Sequence, residues 1–142
     1  MKRKCRAKPD KKRDTGCPVA FALDTFGDRW SLIVIRDMAL RGFTTYGEFL
    51  GGREGIATNV LADRLRTLEA EGIITRARDP GNHRKINYTL TAKGCDLVPV
   101  VLEMIRWSAK YDPATQTNKN VLNRIKTDRD GFTEEIRARF QR

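Results

Sequence analysis

The chain is short of the residues most catalytic and metal sites are built from. Its 142 residues include one histidine, His83, and three cysteines, Cys5, Cys17 and Cys95. No two cysteines stand at the CxxC spacing of a zinc site, and His83 is far from all three in sequence, so no metal and no cofactor is expected. An odd cysteine count without a secretory leader argues against a disulfide framework. With its only histidine in a turn, the chain lacks the base that a nucleophilic Cys17 would need. No Ser/His/Asp set or phosphate-binding glycine loop accompanies it, so enzymatic activity is not expected. No run approaches the roughly 20 apolar residues that cross a bilayer, and no apolar segment follows the basic N-terminus. A cytoplasmic protein without a membrane partner is the expectation. The chain is also poor in acid: 28 Lys and Arg face 18 Asp and Glu, a net charge of +10.

That excess is unevenly spread. Residues 1–16 hold eight basic and two acidic side chains, a net of +6, which leaves +4 for residues 17–142. The first 16 residues show no apolar period and are expected to form a disordered basic tail. An anionic partner is implied, nucleic acid before a membrane surface. The case for it has to come from the folded part.

Pro18 suits the first turn of a helix that Gly27 ends. Asp28 is placed to cap a second helix, apolar on several sides and therefore central, which closes at Arg41-Gly42. Thr44 or Thr45 can cap a short third helix. The fourth is expected from about Thr58 to Glu71, with Leu61, Leu65 and Leu68 as its apolar stripe and Gly72 as its left-handed cap. The period then changes from 3.6 to 2. Residues 73–78 and 85–90 read as two strands around a Pro80-Gly81-Asn82 turn. Thr91 should cap a long helix to about Tyr111, bent by Pro99 and ended by Asp112-Pro113. Two shorter helices, divided near Asp130-Gly131, should complete the chain. The organisation expected is a tail (1–16), one folded domain (17–112) and a helical extension (113–142).

A short helix, a turn, a second helix and then a hairpin is the order of a winged helix-turn-helix, mainly α with a small β wing. With Leu61 turned to the core, Asn59, Asp63 and Arg66 fall on the opposite face of the fourth helix. Thr58 and Asn59 occupy its first turn, where backbone N–H groups favour phosphate. Asn59 suits an adenine edge, and Arg66 a guanine edge or a phosphate. Arg64 lies nearer the core flank, where a salt bridge competes with DNA contact. The hairpin carries Arg76, Arg78, Asn82, His83, Arg84 and Lys85 against one acid, Asp79. Such clustering on a narrow ribbon repels itself unless an anion neutralises it. These residues, with Thr45, form the expected DNA-binding set. A double-stranded operator is the expected partner, and a chromatin-like protein without sequence preference is the alternative.

The ordered series Cys17-Pro18-Val19, Leu23, Gly27-Asp28-Arg29-Trp30-Ser31-Leu32 and Tyr46-Gly47-Glu48-Phe49 is similar to the HxlR-type regulators, within the MarR-like superfamily. So are Gly55 to Leu61, Arg64 to Gly72 and Tyr88 to Gly94. The resemblance spans about residues 17–110. It implies a bacterial homodimer built from the N-terminal helix and the long helix after the wing, with Val19, Leu23, Phe26, Val101, Met104 and Ile105 at the interface. Ala57-Thr58 stands where many relatives have Ser-Pro, so the fourth helix starts without a side-chain cap. Some members sense electrophiles or oxidants through the cysteine at the position of Cys17. A helix N-terminus and nearby basic residues favour a thiolate there. The fold, the dimer and a repressor responsive through Cys17 are what the resemblance implies.

Overall fold

The computed structural model describes residues 15–141. The expected disorder of the tail, and Cys5, fall almost wholly outside them. The elements run α1 (Pro18–Phe26), α2 (Ser31–Arg41), α3 (Tyr46–Leu50), α4 (Thr58–Ala70), β1 (Ile74–Asp79), β2 (Asn82–Leu90), α5 (Ala92–Cys95), α6 (Val98–Tyr111), α7 (Lys119–Thr127) and α8 (Arg129–Phe140). No helix is long and apolar enough to cross a membrane among the described residues.

Helix α2 is the hub. Val34, Ile35, Met38 and Ala39 are all buried, and they share one core with Leu61, Leu65 and Leu68 of α4, Ile73 and Ile74 at the start of the hairpin, and Leu102 of α6. Asp28 does start α2. Its Oδ2 accepts from the backbone N–H groups of Trp30 and Ser31 at 2.9 and 3.0 Å, and its Oδ1 from the Ser31 hydroxyl. Both strands form one antiparallel ribbon with Ile74 opposite Leu90 and Arg78 opposite Ile86, and a register irregularity follows at Asp79. The ribbon tightens to a turn of two residues, so β2 begins at Asn82, three residues earlier than periodicity places it.

Two expectations about the second half are corrected. The long helix after the wing is broken, not bent. Thr91 caps only the short α5, and a new helix starts at Val98 with Pro99 in its first turn. Proline there needs no partner for a missing N–H, so it begins α6 instead of distorting it. The final two helices divide at Asp128, not at Asp130-Gly131. Asp128 caps α8 by accepting from the Gly131 N–H at 3.1 Å, which draws Gly131 into the helix.

Ile125 of α7 with Phe132 and Ile136 of α8 join the common core. The Arg139 guanidinium donates to the Ala39 carbonyl near the end of α2 at 3.2 Å, and Arg137 pairs with Asp96 at 2.7 Å. Gly94 makes the closest crossing: a Cβ there would lie 2.2 Å from the Ile73 carbonyl oxygen. Only glycine lets α5 lie against the start of the hairpin.

Candidate nucleic-acid interface

Helix α4 presents two chemically different faces. Leu61, Leu65 and Leu68 are buried, while Thr58, Asn59, Asp63, Arg66 and Glu69 are exposed. Its first turn follows Ala57, which offers no side-chain cap. Backbone N–H groups there remain available to an anion. The Tyr46 hydroxyl donates to the Thr58 carbonyl at 3.0 Å and joins α3 to the start of α4.

The preceding turn is held by charge. Arg36 on α2 reaches Glu54 at 2.9 Å and Asp37 at 2.7 Å. Asp37 is 3 % exposed, and burial pushes its carboxyl up although Arg36 and Arg41 oppose this. The hydrogen bond from Arg36 draws the Glu54 carboxyl down. Thr45 closes a capping box with Glu48, whose carboxylate accepts from the Thr44 and Thr45 N–H groups at 2.7 and 3.2 Å. Those bonds, Thr44 first, lower the Glu48 carboxyl. The Thr45 side chain therefore helps to start α3.

The wing is docked on this unit at its base. The Tyr88 N–H donates to the Thr44 carbonyl at 2.7 Å, and the Phe49 and Tyr88 rings meet edge to face at 6.3 Å. Arg76 faces Glu69 at the end of α4, 3.8 Å away. Beyond Arg76 the balance changes. The wing's one acid, Asp79, accepts from the Gly81 and Asn82 N–H groups and the Asn87 amide at 2.8 to 3.1 Å. The Asn87 amide bond foremost draws its carboxyl down. Asp79 is thus engaged in closing the turn, as is the Asn82 side chain, which accepts from the Arg84 N–H. Arg78 donates to the His83 carbonyl. His83, Arg84 and Lys85 are exposed.

Arg64 is placed differently from Arg66, the other basic residue of α4. Its guanidinium pairs with Asp63 and with Asp28, the latter at 3.3 Å, and its side chain is 18 % exposed. Arg66 is exposed and makes no carboxylate pair among the described residues.

Away from this surface, α1 and α6 carry apolar side chains in the open. Val19, Phe21 and Leu23 are 51 to 64 % exposed, as are Met104, Trp107 and Tyr111 of α6. Phe26 and Ile105 are half-buried. Val101 is not on this surface; at 4 % exposure it packs in the core beside Leu102. The expected interface set leaves out Phe21, Val100, Trp107 and Tyr111. The stripe 100, 104, 107, 111 carries the helical period that marks the last three, on a face distinct from Val101. An open groove along α6 is lined by Pro99, Val100, Glu103, Met104, Trp107 and Ser108. Cys17, exposed, stands at the N-cap of α1, and Cys95 is buried.

Residues 25–116 match the family model described as HxlR-like helix-turn-helix. An HTH-type transcriptional regulator of Bacillus subtilis, YybR, is 34% identical over 113 residues, 80% of this chain and 84% of that protein. The HTH-type transcriptional regulator sll1512 of Synechocystis is 35% identical over 88 residues, which span 62% of this chain and 64% of the relative. Among solved structures, the oxidised form of the redox regulator HypR superposes with a TM-score of 0.60 at 33% identity, covering 72% of this chain and all of that one.

Proposed function

Because the chain belongs to the HxlR-like helix-turn-helix family of DNA-binding transcriptional regulators, we propose that it works as a homodimeric, sequence-specific repressor in the bacterial cytoplasm. Helix α4 enters the major groove. Thr58 and the first-turn N–H groups take phosphate, while Asn59 and Arg66 read base edges. Asp63 and Arg64 border that face. The wing lies on the adjoining backbone or minor groove with Arg78, Asn82, His83, Arg84 and Lys85, and Arg76 supports its base. The observation that carries this reading is the exposed cationic wing whose one acid is engaged in its own turn, fixed beside the polar face of α4.

The exposed apolar faces of α1 and α6 support a two-fold dimer through Val19, Leu23, Phe26, Met104 and Ile105, with Phe21 and Trp107 added. Two-fold symmetry then demands half-sites about one DNA turn, or a multiple, apart. Occupying a promoter suffices for repression. An oxidant or electrophile acting on Cys17 relieves it by altering the α1 packing between subunits. The exposure of Cys17 and the likeness to a redox regulator support this part.

Selection of bound genomic fragments, repeated after thiol modification and with Cys17→Ser, tests the reading. Enrichment of one two-fold-symmetric sequence is expected, lost on modification of wild type and retained in the variant. Equal competition by random duplex would favour the chromatin-like alternative. Modification without effect would remove the sensor.

A further inference from the structure

Arg64 ties the recognition helix to the place where α1 joins the body. All three guanidinium nitrogens face carboxylates of the chain itself: Nε donates to Asp63 at 3.1 Å, Nη2 to the same oxygen, and Nη1 stands 3.3 Å from Asp28 Oδ1. A DNA contact by Arg64 would have to break these pairs. Asp28 is itself rigid, because it holds the Trp30 and Ser31 N–H groups at the start of α2. Just before it, Gly27 closes against α1, where a Cβ would lie 2.3 Å from the Leu23 carbonyl oxygen. Helix α1 buries none of its residues fully, with Ala20, Ala22, Thr25 and Phe26 half-buried, and it joins the body directly through this junction.

Resting on the DNA-binding reading above, we propose that Arg64 is a positioning residue. It touches no DNA and links the α1–α2 junction to the middle of α4 through Asp28, fixing the tilt at which α4 meets the groove. Displacing α1 then moves the outward face of α4. Base contacts tolerate such a shift poorly, whereas phosphate attraction tolerates it well, so the link governs sequence discrimination and not overall attraction.

The test compares wild type with Asp28→Asn, Arg64→Gln and the double variant. Asparagine caps a helix as well as aspartate does, so Asp28→Asn removes the charge and keeps the start of α2. Each protein is titrated with a duplex that wild type selects from genomic DNA and with random duplex of equal length, at several salt concentrations. Thermal melting confirms folding. Each single variant should lose about tenfold in affinity for the selected duplex, and the double variant no more than the weaker single, as expected of a coupled pair. Affinity for random duplex and the salt slope should not change. Should Arg64→Gln fail to fold, Arg64→Lys replaces it, keeping the charge and losing the fork.

A salt slope reduced by about 0.9 in Arg64→Gln, with Asp28→Asn like wild type, would show a phosphate contact and overturn the proposal. So would unchanged discrimination in both single variants. If wild type itself does not prefer the selected duplex, the sequence-specific reading fails first, and the two failures are told apart by that control.

Discussion

The reading surface and the α1/α6 face are both exposed, yet they are unfinished in opposite ways. On α4 and the wing, the large apolar side chains are buried or half-buried and polar groups remain outside, with His83, Arg84 and Lys85 concentrated beyond Asp79. On α1 and α6, Val19, Leu23, Met104 and Trp107 stay in the open although the core beneath is filled. The first surface repels itself until an anion arrives. The second exposes apolar area until another apolar face covers it. In the function proposed above, a polyanion meets the first and a second copy of the chain covers the second.

The comparison can be broken most severely from beneath. Leu65→Ala opens a cavity behind α4 and should cost about 2 to 5 kcal/mol of folding stability, read by chemical denaturation. Both surfaces then fail together. Trp107→Glu strikes the apolar face alone. It should weaken self-association by about 2 kcal/mol or more, seen by sedimentation, while the monomer keeps its melting temperature. Operator binding should fall with the dimer. On the other surface, Asn59→Ala should cost about 1 to 3 kcal/mol of discrimination at one base pair. Arg84→Ala should weaken selected and random duplexes alike and reduce the salt slope by about 0.9. Charge on one surface and apolar area on the other would be exchanged in their roles if the Trp107 variant altered the salt slope and the Arg84 variant altered assembly.

The smallest effect lies at the edge of the apolar groove. Hydrogen bonds from Arg106 and then Arg129 lower the Glu103 carboxyl from 4.5 to about 2. A carboxyl depressed in the folded state stabilises fully above its unfolded value, and that contribution is lost as pH falls from 4.5 towards 2. Melting temperature should therefore decline over this window, and less steeply in Glu103→Gln. The pair is exposed, so the change should be slight. Identical pH profiles would show that Glu103 does not help hold α8 to α6.

Much of the fold was legible because periodicity and caps are local. The stripe 61, 65, 68, the shift from period 3.6 to 2 at Ile73, and the caps at Asp28, Thr45 and Thr91 all depend on near neighbours along the chain. Where reading failed, two local signals competed. Pro99 signals either a kink or a helix start, and only the break after Cys95 decides between them. Asp128 and Asp130-Gly131 both resemble a boundary, and the cap accepted by Asp128 settles which one acts. Val101 and Met104 are both apolar on α6, and a sequence cannot say which one the chain's own core consumes.

By itself the sequence determined the order of the elements as far as the wing, the outward residues of α4 and the cationic bias of the wing, because each follows from spacing and composition over a few turns. Only the tertiary structure decided which charges are already spent. Asp28 lies 36 positions before Arg64, and Glu54 lies 18 after Arg36. Such pairs form because packing around α2 brings distant segments together, and no local pattern announces them. That packing turned Arg64 inward to its carboxylates, left Arg66 facing out, and kept Val101 from the surface where Trp107 stands.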